Sequence, residues 1–203
     1  GDEWIVVYIR STEGDGAPLY YRRGIAHSNG TITWLAPEQV VYDPPGNVLV
    51  APEGLEITPS GYVFVGYGTL NTQTSTDYYY YITKTELTNG TWLEKEGYPF
   101  FIYYNKTELY EAEIETLNSD HGCYSVVMPT DKNPLGFLIW NDELQSANET
   151  VGTFPIYEPR HFSIITDNNR NVHVTWLAND TSIRYSFRNW ATNSWEITGQ
   201  KIV

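Results

Sequence analysis

The sequence predicts an all-β fold: a β-propeller-like array of about four four-stranded antiparallel blades, with a β-sandwich as the alternative use of the same local signals. Three observations carry this. The chain is 15% aromatic, with 17 Tyr and 7 Trp, against only 18% charged residues, a balance that suits pleated, half-buried surfaces rather than helices. Its 16 Gly and 11 Pro are spread along its length, and no stretch of helical length shows clean helical periodicity. Two kinds of hairpin also alternate through the 203 residues, and repetition on this scale marks propellers and solenoids.

In the first kind, an apolar strand, a tight turn and a second apolar strand follow one another. Residues 55–61 lead into 62–67, residues 114–122 into 123–128, and residues 162–171 into 172–177. Residues 4–9, after Gly1-Asp2-Glu3, read as the second half of the same hairpin. In the second kind, Tyr20-Tyr21 runs through a polar turn to Trp34, and Tyr78-Tyr79 reaches Trp92 over the same fourteen-residue separation. Residues 185–188 reach Trp195 over a shorter one, and in the third unit the strand 136–140 returns through 154–157. The blades therefore fall near 1–43, 47–104, 108–158 and 159–203, within one domain over 1–203. The first lacks a leading strand and the last ends after its outer strand. Three expectations stay open: that this strand count is wrong, that a larger propeller completes the array, or that a second subunit adds a strand to an open β-edge.

The net charge of −13 excludes a nucleic-acid partner, which needs a basic footprint, and argues against docking on anionic lipid. No apolar run reaches membrane-spanning length, and no signal peptide remains. Cys123 is the single cysteine, so packing rather than a disulfide has to hold the fold. Five N-x-T sequons occur, at Asn29, Asn89, Asn105, Asn148 and Asn179, each in an expected turn. Glycosylation and simple turn chemistry both account for them, because Asn29-Gly30 and Asn89-Gly90 are themselves hairpin signals. With the composition, they point to a secreted or cell-surface glycoprotein.

Residues 167–176 (DNNRNVHVTW), then Ile183-Arg184-Tyr185-Ser186 and Trp195, resemble the BNR-type repeats of sialidase-like propellers. Ser28-Asn29-Gly30-Thr31-Ile32-Thr33-Trp34 resembles a degenerate Asp-box, with Asn29 in place of its Asp. Only residues 28–34 and 167–195 carry the resemblance as motifs, and such motifs mark the repeat rather than an activity. Sialidase chemistry would need three arginines from different blades, a Tyr–Glu pair and an acidic Asp. Arg10, Arg22, Arg23, Arg160, Arg170, Arg184 and Arg188 are the whole supply, all in the first and last units. A likeness to polysaccharide lyases instead implies Arg160, His161, His173 and Tyr185 as catalytic candidates. His173 alternates with Val172, Val174 and Trp176, so a sheet-facing residue with a satisfied hydrogen bond is the plainer reading of it.

A generic glycosidase needs two carboxylates about 5–10 Å apart, a criterion that 25 acidic residues make uninformative. His27, His121, His161 and His173 show no ligand spacing with one another or with Cys123. Neither a Gly-rich phosphate loop nor a G-x-S-x-G elbow occurs. Oxygen donors suited to calcium gather at Asp167-Asn168-Asn169 and between Asp131 and Asp142, though neither stretch matches an EF-hand loop. The tracts Tyr78-Tyr79-Tyr80-Tyr81 and 100–104 place rings on both sheet faces, as core or as platforms for sugars or another subunit. The resulting expectation is a non-enzymatic extracellular module, needing no cofactor, for glycan recognition, adhesion or surface assembly. The alternative is a carbohydrate-active hydrolase or lyase.

Overall fold

The computed structural model describes residues 4–11, 14–74, 77–86, 89–106, 111–129, 133–153, 162–178 and 180–202. These residues form sixteen strands in four four-stranded antiparallel sheets, with no helix among them. This is the expected propeller-type sheet content; the two sheets of a sandwich do not describe it. The chain divides into two compact units, one of residues 1–55 with 61–107, the other of 56–60 with 108–203.

In the first unit, the first sheet holds β1 (Trp4–Ser11), β2 (Leu19–Ala26), β3 (Ile32–Trp34) and β4 (Gln39–Tyr42). It is only three positions wide, because β3 and β4 both pair with β2, at its two ends. Between them lies Pro37, which has no N–H to give a ladder. The second sheet runs in order through β5 (Val48–Ile57), β6 (Val63–Asn71), β7 (Tyr78–Lys84) and β8 (Phe100–Asn105). Along β7, Tyr78 and Tyr80 are buried and Tyr79 and Tyr81 half-buried, so the tyrosine tract places rings on both faces with the strand period. Tyr78 lies over Gly68, where any Cβ would overlap its phenol. The returning strand here is β8, with Tyr78 opposite Asn105. Trp92 therefore sits off that strand, its ring packed edge-on against Tyr21 at 5.1 Å. Its fourteen-residue spacing from Tyr78 matched the Tyr20–Trp34 pair without sharing its geometry.

The second unit contains β9 (Glu111–Thr116), β10 (Gly122–Met128), β11 (Leu135–Trp140) and β12 (Glu143–Thr150) in its third sheet. Its fourth sheet holds β13 (Phe162–Thr166), β14 (Val172–Leu177), β15 (Ile183–Asn189) and β16 (Ser194–Lys201). β11 returns immediately through β12, with Trp140 opposite Glu143, rather than through residues 154–157, which lie outside the described residues. The two-residue turn between them, Asn141-Asp142, has positive φ at both positions, the geometry that suits hairpin twist.

Every residue of β10 is buried, whereas β14 alternates: Val172, Val174 and Trp176 are buried, and His173, Thr175 and Leu177 half-buried. The buried face of the fourth sheet joins Tyr124, Val126, Met128 and Leu138 of the third in one core. Fully burying each such large apolar side chain contributes about 1.5–3 kcal/mol. At the seam, Glu113 accepts the Ile164 N–H at 3.0 Å, which satisfies an edge donor of β13 that no strand reaches. On its opposite face Ser163 and Ile165 are exposed and His173, Thr175 and Tyr185 half-buried.

Candidate functional site: the His173–Tyr185 face of the fourth sheet

Hairpin register builds this site. Thr175 of β14 lies opposite Tyr185 of β15, and His173 opposite Phe187. His173 and Tyr185 are thus diagonal neighbours on one face, within reach of each other. Their Nδ1 and Oη atoms are 2.8 Å apart, and the rings stack at 6.1 Å between centroids. With Tyr185 donating to Nδ1, Nε2 carries the imidazole proton and faces Asp167 Oδ2 at 3.6 Å. Ser163, Ile165 and Thr175 complete a cavity of about 270 Å³ around these three side chains. It is mostly apolar, with a few convergent polar groups, which is the make-up of small-molecule pockets. Burial, with the Asp167 charge adding to it, raises the Tyr185 phenol above its ordinary pKa.

Asp167 is fixed by its own turn. Its backbone N–H donates to the Asn171 carbonyl at 3.0 Å, and Arg170 N–H donates back to the Asp167 carbonyl at 2.9 Å. His27 to Thr31 and Ala178 to Ser182 make the same pair of bonds. In each turn the fourth residue, Gly30, Arg170 or Thr181, has positive φ. The Asp167 carboxylate accepts from Asn169 N–H, Asn171 N–H and Asn171 Nδ2 at 2.8–2.9 Å. Partial desolvation pushes its pKa up, but the bonds from Asn171 and Asn169 outweigh this and leave it lowered.

Asp167 also borders a second cavity, of about 280 Å³ and polar, with Pro59, Glu115, Asn118, Thr166 and Asn168 among its walls. Burial raises the pKa of Glu115, against the bond it accepts from the Thr166 backbone and with the Glu113 charge adding. Behind it, Glu56 is pushed up to about 7 by burial and by Glu115. These carboxylates on β5 and β9 escaped sequence reasoning, because 56 and 113–115 belong to different hairpins and only the fold brings them together.

Of the sequence-stated candidates, His173 and Tyr185 come together; Arg160 and His161 lie outside the described residues. The described arginines do not converge. Arg10 pairs with Glu38, Arg22 donates to the Ala36 carbonyl, and Arg23 to the Gly61 carbonyl. Arg184 holds Asp180, and Arg188 holds Glu149. A Tyr–Glu pair does occur, Tyr124 donating to Glu149 at 2.6 Å, but Tyr124 is 0% exposed and closed to substrate. His27 bonds Thr33 and His121 bonds Asp142. Among the described residues, no group of three or more His, Cys, Asp or Glu side chains is arranged to hold a metal. Asp131 lies outside them. Asn29 and Asn89 are exposed and Asn105 half-buried; Asn179 and the Asn148 side chain are not among the described parts.

No family model matches the chain, and no curated protein matches it. Among solved structures it is similar to a Hadza microbial sialidase, with 10% identity and a TM-score of 0.56 over 96% of this chain and 41% of that one. It is also similar to a protein assigned as an exo-beta-1,3-galactanase from Bifidobacterium bifidum, with 10% identity and a TM-score of 0.54 over 99% of this chain and 68% of that one. The chain thus spans less than half the length of the sialidase. At such identity the likeness is one of fold alone: four-stranded antiparallel sheets of β-propeller type.

Proposed function

We propose that this chain is a secreted or cell-surface module that recognises glycans without turning them over, and that it does so through the His173–Tyr185 cavity. The hydrogen-bonded, stacked pair of half-buried rings beside Asp167 carries this reading. Rings with a polar edge offer an apolar surface to a sugar ring and hydrogen bonds to its hydroxyls at once. The volume suits a single ring rather than a long ligand. The named activities of the two structural neighbours, a sialidase and a galactanase, agree with a carbohydrate ligand. Recognition as proposed uses neither metal nor cofactor.

A hydrolase is the second reading, and one observation favours it. Glu115, with its pKa raised, and Asp167, with its pKa lowered, border the same polar cavity, and carboxylates driven apart in this way are how acid and base roles are divided. A panel of oligosaccharides assayed for both binding and cleavage separates the two. Binding without cleavage, lost in His173→Ala and kept in Glu115→Gln, supports recognition. Cleavage abolished by Glu115→Gln supports the hydrolase and overturns the first reading.

A further inference from the structure

Arg170 stands apart from every other described arginine. Its guanidinium makes no hydrogen bond and no ion pair among the described residues, whereas Arg10, Arg22, Arg23, Arg184 and Arg188 all do. It lies instead over two indoles, 4.8 Å from the ring centroid of Trp140 and 5.8 Å from that of Trp190. The indoles meet edge-to-face at 4.7 Å, and all three side chains are half-buried.

The arrangement is fixed from below. Trp140 lies across Gly122, its cross-strand partner, where any Cβ would crowd the ring. Trp190 is tied by its backbone N–H to Asn171 Oδ1 at 2.9 Å. Arg170 holds the positive-φ position of the same turn, at φ 65°, a conformation with a cost for any residue but glycine. One turn thus sends Asp167 to the His173 cavity and Arg170 to the indole pair.

We propose that Arg170, Trp140 and Trp190 form a second binding site, for a sugar that carries a carboxylate, of the uronic-acid kind. A guanidinium stacked on aromatic faces keeps its N–H fork at the edge, pre-oriented for a bidentate carboxylate. The indoles supply a flat apolar surface for the ring that bears it. The occupant is a sugar rather than an acidic peptide, because the paired indoles offer an apolar face that a sugar ring covers and a carboxylate side chain alone does not. A sugar acid brings one carboxylate per ring, together with a ring face. A guanidinium that merely capped the core would need no free fork.

The test follows the indole N–H signals of Trp140 and Trp190 by NMR in the full chain, titrated with oligogalacturonate and with neutral oligogalactose of the same length. Oligogalacturonate shifts both signals, the neutral oligomer binds about tenfold more weakly or worse, and added salt weakens the acidic ligand. Arg170→Lys, which keeps the cation over the rings but loses the fork, reduces acidic-sugar affinity by about tenfold while leaving the melting temperature near the parent value. His173→Ala leaves the response intact, which separates this site from the cavity of the proposed function. Equal binding of the neutral oligomer, or an unchanged response in Arg170→Lys, overturns the proposal. So does binding of a poly-glutamate peptide as tight as that of the oligogalacturonate.

Discussion

Arg188 donates from Nε to Oε2 of Glu149 at 2.8 Å, although only 1% of its side chain is exposed. The same carboxylate accepts from Tyr124 at 2.6 Å, Ser146 at 2.6 Å and Trp195 Nε1 at 3.2 Å. One side chain on β12 thus ties together β10, β15 and β16. Desolvation pushes the Glu149 pKa up, yet the bonds from Arg188, Ser146 and Tyr124 more than offset this and leave it lowered.

Removing one partner of this pair strands the other. Glu149→Ala is expected to destabilise the protein by about 3–5 kcal/mol, measured by urea unfolding, since the Arg188 charge stays buried without its counter-ion. Glu149→Leu with Arg188→Met recovers only part of that. The Tyr124 hydroxyl and the Trp195 N–H still lose their acceptor, at a cost of about 1–3 kcal/mol each where they stay dry.

Stability should peak in mildly acidic solution. Burial raises Glu56 to about 7 in the folded state from an ordinary 4.5, and raises Glu113 and Glu115 as well. Stability linked to Glu56 is therefore complete below about pH 4.5 and is lost as pH rises through about 7. Glu149, lowered in the fold, acts in the opposite sense: its contribution is present above about 4.5 and is lost as pH falls through its lower folded value. Melting temperatures read across this range should be higher near pH 5.5 than near pH 8. Glu56→Gln should flatten that slope without moving the acid limb.

The absence of a Cβ at Gly136 is a packing requirement. A Cβ there would overlap the Tyr124 phenol, while one at the exposed Gly46 would meet nothing within 4 Å. Gly136→Ala should cost about 1–3 kcal/mol by overpacking. Gly46→Ala should stay within about 0.5 kcal/mol of the parent. Equal effects in thermal unfolding would contradict the packing described for β10 and β11.

Asn29 is exposed and orders its own turn by accepting from the Thr31 N–H at 3.0 Å and hydroxyl at 2.7 Å. If the chain is exported through a glycosylating pathway, intact mass should show glycan at Asn29 and Asn89 before the half-buried Asn105. An Asn29→Gln chain should lose one glycan's mass.

The sheets were legible in the sequence wherever apolar strands flank a turn, as in β9–β10 and β13–β14, because burial on one or both faces writes itself as hydrophobic residues. β12 was not legible. Its residues ELQSANET read as polar, and the signal that marks it is the Asn141-Asp142 turn rather than the strand itself. His173 and Tyr185 could be placed in one unit by sequence, and β14–β15 register then makes them neighbours. The role of Asp167 follows from a turn that recurs at 27–31 and 178–182, a pattern of hydrogen bonds that residue types alone do not reveal. Glu56, Glu113 and Glu115 meet only through tertiary structure.

On the proposed reading a glycan sits against His173 and Tyr185 on the fourth sheet. The most direct measurement is chemical-shift mapping with the tightest-binding oligosaccharide of the panel. Shifts concentrated at Ser163, Ile165, His173, Thr175 and Tyr185, and abolished in His173→Ala with the melting temperature unchanged, are the predicted result. Shifts that avoid this face, or binding untouched by His173→Ala, would contradict it.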